Sequence, residues 1–237
     1  MKSLLFLAFL YFIQGLPYGL QSRFLPIYFR SHGMSLTDIS MFKLLLIPWM
    51  CKALWAPFVD RYGTKKSWLT WSMVGLIITC LLGTLTSPDH ILELAVILFL
   101  FNLITSTQDI AVDGIAIQVL TSSELGYGNI AQVVGYKFGA IFGGGILTWL
   151  SDYLEWTILF LCLALIYTFS LLFTQIFIHP PQKVSSDHES VKKEHSNTET
   201  TWLEEIKATV KQIFSTPGTV WIMMFVIVYK LGKLWEG

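Results

Sequence analysis

The chain has 237 residues, 54% hydrophobic and only 14% charged, with a formal net charge of zero at pH 7. A soluble globular domain carries roughly a quarter charged residues, so this composition, with a mean hydropathy of +0.59, excludes one. Zero net charge also removes the electrostatic footprint of a nucleic-acid-binding protein.

A membrane-spanning helix needs about 20 mostly apolar residues. In chain order such runs cover residues 4–29, 37–59, 68–86, 92–120, 130–150, 156–178 and 220–235. The expected fold is an all-α membrane protein. A six-helix transmembrane bundle occupies residues 1–178, a charged linker 179–214, and a partial seventh spanning helix 215–237.

In the first run, Lys2 followed by apolar residues 4–13 has the outline of a secretory signal peptide. The run continues to Phe29 without a small-x-small cleavage site, so it reads as a spanning helix. Gln14-Gly15-Leu16-Pro17-Tyr18-Gly19 is expected to interrupt it near its middle. Proline there removes a backbone hydrogen bond, which only a protein or wet environment can replace. Pro48 and Pro57 are expected to bend the second helix. Polar turns fall at 30–36, 60–66, 87–91, 121–129 and 151–155, with Pro88, Gly126, Gly128 and Asp152 as turn residues. Gly135, Gly139, Gly143, Gly144 and Gly145 give the fifth helix small faces for close packing. Cys51, Cys80 and Cys162 all lie inside apolar runs and read as buried free thiols.

Residues 179–214 mix Lys183, Asp187, Glu189, Lys192, Lys193, Glu194 and Glu199 with serines and threonines, the composition of a solvated linker. Within it, Trp202, Leu203, Ile206, Val210, Ile213 and Phe214 oppose Glu204, Glu205, Lys207 and Lys211 at helical spacing. This predicts a helix lying on the inner membrane surface. His188 and His195 have no close Cys or His partner and read as solvated loop residues, so no metal site is expected.

Orientation follows the positive charges. With the amino terminus in the cytoplasm, the inner segments hold Lys2, Arg61, Lys65, Lys66, Lys183, Lys192, Lys193, Lys207 and Lys211, and the outer loops hold only Arg30. The chain is therefore read as a multi-pass protein of the plasma membrane or an endomembrane with a cytoplasmic amino terminus. Six helices, a long charged linker and a further helix are the layout of the first half of a two-times-six transporter, whose substrate site lies between its halves near the midplane.

Charges inside spanning segments are costly and mark substrate or ion paths. More than two residues from the span ends, they are Arg23, Lys43, Lys52, Lys137 and Lys230 against Asp109 and Asp113, with Glu93 at the outer boundary. At ~1.5 Å per residue, Lys52, Asp113 and Lys137 lie ~11 Å from the inner helix ends and Asp109 ~17 Å. Asp109 and Asp113 stand four residues apart, on one side of their helix. The shared layer suggests that Lys137 and Lys52 neutralise the aspartates, or that one aspartate carries a coupling proton; a structural ion cluster that fixes helix packing gives the same layer. Arg23 and Lys43 lie ~9 Å from the outer ends. They either line a positive cavity for an anionic solute or snorkel to the headgroups.

Asp60-Arg61-Tyr62-Gly63-Thr64-Lys65-Lys66, between the second and third helices, resembles the signature loop of the major facilitator superfamily, with Ala56 where a leading glycine is common. Further motifs are Gln14-Gly15-Leu16-Pro17-Tyr18-Gly19-Leu20, Trp55-Ala56-Pro57-Phe58-Val59-Asp60, Gln108-Asp109-Ile110-Ala111-Val112-Asp113-Gly114 and Tyr136-Lys137-Phe138-Gly139. Together they resemble the branch that holds the acetyl-CoA transporters and the AmpG muropeptide permeases, across roughly residues 1–232.

The resemblance implies a secondary carrier of an anionic organic solute, proton-coupled and acetyl-CoA transporter-like, with no cofactor and no enzymatic activity. It adds Gln14, Tyr18 and Gln108 to Arg23, Lys43, Lys52, Asp109, Asp113 and Lys137 as substrate-binding or coupling residues. It makes Asp60, Arg61, Gly63 and Lys65 a gating loop. Such carriers have twelve helices, whereas Tyr229-Lys230-Leu231-Gly232 is followed here by Lys233-Leu234-Trp235-Glu236-Gly237, which reads as a truncated form. Besides the lipid bilayer and a small anionic solute, the expected partners are then a second copy or a full-length homologue. The alternative is a non-transporting form that binds or regulates the full-length carrier. An intramembrane enzyme with Asp109 and Asp113 as metal ligands is disfavoured, because two aspartates are too few for a hard cation.

Overall fold

The computed structural model describes residues 2–88 and 90–177, with scattered positions between 215 and 228. The linker and amphipathic helix expected over 179–214, and most of the run at 220–235, lie outside the described residues. The chain divides into two units, Met1–Pro180 and Pro181–Gly237. In the second unit, Trp221, Ile222, Phe225 and Val228 are helical and exposed.

Every regular element of the first unit is helical among the described residues. Five helices are long and apolar enough to cross a membrane: Ser3–Ser31, Lys65–Leu85, Ile91–Val119, Leu125–Leu150 and Trp156–Phe177. They are the first, third, fourth, fifth and sixth helices.

The second run is not one regular helix. It is a chain of short pieces, Leu36–Met41, Phe42–Leu46, Ile47–Cys51, Lys52–Leu54 and Ala56–Arg61, with 3-10 geometry over Phe42–Leu46 and Lys52–Leu54. Pro48 and Pro57 each stand in the first turn of a new α-helical piece. A proline has no N–H and its ring clashes with the carbonyl four residues back, so the ladder tightens and restarts at each one. The expected bend is thus a repeated interruption, and it corrects the single helix expected over 37–59.

The interruption expected at Gln14–Gly19 is displaced. The α-helix runs through Pro17 to Gly19 and then widens into a π-helical turn over Leu20–Phe24. That turn precedes Pro26, which sits in the first turn of the following α-helical piece. The wider turn relieves the clash a proline makes with the preceding turn. A second π-helical turn, Phe142–Ile146, spans the triple glycine of the fifth helix. Gly126 and Gly128 are not turn residues, since the fifth helix already starts at Leu125. At Gly128 the reason is packing: any Cβ there would overlap Leu120.

Glycine brings the first and fifth helices into main-chain contact. A Cβ at Gly135, Gly139 or Gly143 would overlap the carbonyl oxygen of Ala8, Phe12 or Leu16, and one at Gly15 or Gly19 would overlap that of Tyr136 or Ala140. Residue numbers rise together on both helices, so the two run in the same direction. Tyr11 meets Asp113 and Gln21 meets Asn102, so the fourth helix runs against the first. Trp49 meets Asn102 and Lys52 meets Asp109, so the second segment runs with the fourth. Gly83 lies against Phe160 and Thr70 bonds Gln175, so the sixth helix runs against the third. These registers are the up-and-down threading of a multi-pass bundle.

Burial is inverted relative to a soluble protein. Met50, Leu54, Leu85 and Leu92 are about four-fifths exposed, whereas Gln14, Asn102 and Gln108 are fully buried. Lipid accepts the exposed apolar surface, and the polar groups turn inward towards partners. The main core is built of side chains such as Leu16, Phe24, Leu76, Phe101, Phe160 and Tyr167.

Candidate functional site

Five polar side chains of the fourth helix fall on one stripe. Asn102, Thr105, Ser106, Asp109 and Asp113 recur at spacings of three and four, and the first four are buried. The stripe faces the first helix on one side and the second segment on the other.

At its lower level Lys52 forms an ion pair and hydrogen bond with Asp109 Oδ2. Asp109 is only 7% exposed, while the Lys52 side chain is 35% exposed. Beside this pair, Tyr11 donates its hydroxyl to Asp113 Oδ1 at 3.0 Å, and Gln132 Nε2 of the fifth helix donates to the same oxygen at 3.4 Å. The first, second, fourth and fifth helices therefore converge on the two carboxylates.

At the upper level, ~10 Å further along the fourth helix, Gln21 and Asn102 exchange hydrogen bonds of 3.1 and 2.8 Å. Trp49 Nε1 donates to Asn102 Oδ1 at 3.1 Å. Gln14 and Gln108 are fully buried, and both amide atoms of each have no hydrogen-bond partner among the described residues.

The other candidates stand apart from this cluster. Lys137 is exposed and makes no ion pair among the described residues, so it does not neutralise the aspartates. The reason is rotation about the helix axis: Gly135 and Gly139 face the first helix, and position 137 lies on the far side. Tyr18 is 45% exposed, its ring centroid 5.7 Å from that of Tyr136. Arg23 is exposed and lays its stem against Gly144, and Lys43 is exposed on the second segment. In the signature-like loop, Lys65 forms an ion pair with Asp60 and also donates to the carbonyl of Val59 at 3.3 Å. Gly63 takes a left-handed φ of 73°, and Arg61 lies exposed in the last turn before it. A groove of about 510 Å³ lined by Leu82, Leu85, Leu92, Glu93 and Val96 lies at the opposite end of the fourth helix. Glu93 is ~24 Å along the axis from Asp109, too far to belong to the same site.

Tyr11, Gln21, Trp49, Asn102 and Gln132 were not singled out from the sequence. Tyr11 and Trp49 read as apolar residues of their runs. Asn102 carried a usable signal, since it stands seven residues, or two helical turns, before Asp109.

A family model described as Major Facilitator Superfamily matches residues 7–232. The chain belongs to this superfamily. It is 26% identical over 240 residues to an uncharacterised protein of Haemophilus influenzae, covering 98% of this chain and 54% of that protein. It is 26% identical over 233 residues to the anhydromuropeptide permease of Escherichia coli, covering 95% of this chain and 45% of the permease. An uncharacterised Schizosaccharomyces pombe protein is 33% identical over 150 residues, 58% of this chain and 29% of its own length. The chain thus spans about half the length, or less, of these curated relatives. Its place in the superfamily agrees with the AmpG-like branch that its motifs resemble, and the all-helical, multi-pass architecture agrees with part of a major facilitator half.

Proposed function

We propose that this major facilitator chain is the first half of a secondary active carrier of an anionic organic solute, acetyl-CoA transporter-like and driven by proton coupling. The observation that carries the reading is the polar cluster of Tyr11, Lys52, Asp109, Asp113 and Gln132, held where four helices converge. Ionisable groups held at membrane depth mark substrate or ion paths. The relative named as a permease supports solute transport, and the five cations against two anions more than two residues from the ends of the predicted spans support an anionic solute. Arg23, Lys43 and Lys137, exposed on this half, are the side chains we assign to that solute. We place the amino terminus in the cytoplasm on the strength of the loop charges.

The test is uptake of labelled acetyl-CoA, and in parallel of a labelled muropeptide, into proteoliposomes containing the 237-residue chain. Saturable uptake that Lys52→Ala lowers about tenfold or more supports the carrier and its site. Uptake untouched by that change removes the cluster from the mechanism. A second reading is that the chain binds a twelve-helix homologue without moving solute. It is favoured if folded chain takes up nothing but associates with such a homologue.

A further inference from the structure

We infer that Asp113, and not Asp109, is the carboxyl that takes up and releases the coupling proton, with Tyr11 as its hydrogen-bonding partner. The inference rests on the proton-coupled reading above and names the group within it.

The two aspartates have different partners. Asp109 is buried and held by the ammonium of Lys52. Asp113 is only partly buried and receives two neutral donors, Tyr11 and Gln132. The groups around Asp113 can be taken element by element. The first helix contributes Tyr11. The second contributes Lys52, already engaged with Asp109. The third contributes Lys65, whose stem lies 2.8 Å from where a Cβ of Gly114 would stand and whose ammonium is bound to Asp60. The fifth contributes the amide of Gln132 and, one turn on, Tyr136. The fourth itself contributes Asp109. One cation shared by two carboxylates leaves one negative charge without a counter-ion. Inside a membrane an uncompensated charge is costly, and binding a proton at Asp113 removes it.

A second observation points the same way. Gln14 lies three residues beyond Tyr11 on the first helix, and Gln108 precedes Asp109 on the fourth. Both are fully buried, and among the described residues none of their four amide atoms has a hydrogen-bond partner. Buried polar groups ordinarily have partners. Amide oxygens and N–H groups left free inside the bundle can accept from and donate to water that carries a proton. In the step itself, a hydronium ion gives its proton to Asp113 Oδ1 or Oδ2, its O–H bond breaking to leave water. Tyr11 then turns its hydroxyl from donating to the carboxylate to accepting from the acid, which a phenol can do. Release to water reverses both movements, and no other bond changes.

The test is infrared difference spectroscopy of the full chain in lipid nanodiscs as the pH is lowered. The wild-type chain is expected to gain an acid carbonyl component that Asp113→Asn removes and Asp109→Asn retains. Tyr11→Phe is expected to keep that component but shift its frequency, because the acid loses its hydrogen-bond partner. This variant decides the matter should Asp113→Asn fail to fold. A difference spectrum unchanged by Asp113→Asn, a component lost only in Asp109→Asn, or a frequency unmoved by Tyr11→Phe overturns the inference. In vesicles, Asp113→Asn is expected to lose accumulation driven by a pH gradient. Loss of all solute movement in the wild-type chain would count against the carrier reading, while the infrared result still decides the titrating group.

Discussion

Lys52 and Asp109 form the ion pair at the centre of the bundle, and each constrains the other. Removing the cation alone leaves a carboxylate that is 7% exposed without a counter-ion. Lys52→Ala is therefore expected to destabilise the fold by about 1–3 kcal/mol, between the ranges for exposed and buried pairs. The double change Lys52→Ala with Asp109→Asn is expected to recover much of that loss. Denaturant titration of helix content in detergent measures both. Glu124 offers a separate test outside the membrane-spanning segments. The main-chain N–H of Thr121 donates to its carboxylate at 3.2 Å and the Thr121 hydroxyl at 3.0 Å, which holds the acid below the usual carboxylate range. A lowered acid stabilises the ionised side: the contribution is present above the ordinary Glu range and lost as pH falls through the lowered value. Slow amide exchange at Thr121 should therefore persist down to that acidic range. Glu124→Gln should abolish its pH dependence.

Among the elements, the crossing of the first and fifth helices depends on absent side chains. Gly139→Ala places a methyl group against the Phe12 carbonyl with no room to move, so a loss of about 1–3 kcal/mol is expected from overpacking. Gly145 has nothing within 4 Å of where its Cβ would be. Gly145→Ala should stay within about 0.5 kcal/mol of the parent chain. Equal effects at both positions, read by unfolding in detergent, would show that the two helices cross without main-chain contact. The interrupted second segment was half legible. Pro48 and Pro57 locate the restarts, but the extent of the 3-10 geometry before each, Phe42–Leu46 and Lys52–Leu54, is not read from the prolines alone.

For the whole molecule, the threading derived from the contacts puts residues 62–64 and 120–124 on the same side as the amino terminus. Residues 32–35, 86–88 and 151–155 lie on the other side. Lys65 and Lys66 therefore flank the amino-terminal side, while Arg30 flanks the opposite one. The charge rule then predicts that Thr64→Cys and Ser123→Cys, on a background lacking the native cysteines, react with an impermeant thiol reagent only from the cytoplasmic face. His32→Cys should react only from the other face. The opposite pattern would invert the proposed orientation.

The sequence alone determined the class, the five long spanning helices, the superfamily motifs and the shared depth of Lys52, Asp109 and Asp113. Each of these depends on composition or on distance along a helix axis, and the rise of ~1.5 Å per residue is the same in any helix. Tertiary structure decided which of the groups at that depth meet. It turned Lys137 away, brought in Tyr11 and Gln132, and divided the two aspartates between a charged and a neutral partner. Rotation about the axis and choice of neighbour are set by side-chain packing between helices, above all by the glycine contact of the first helix with the fifth. No single run encodes that contact by itself.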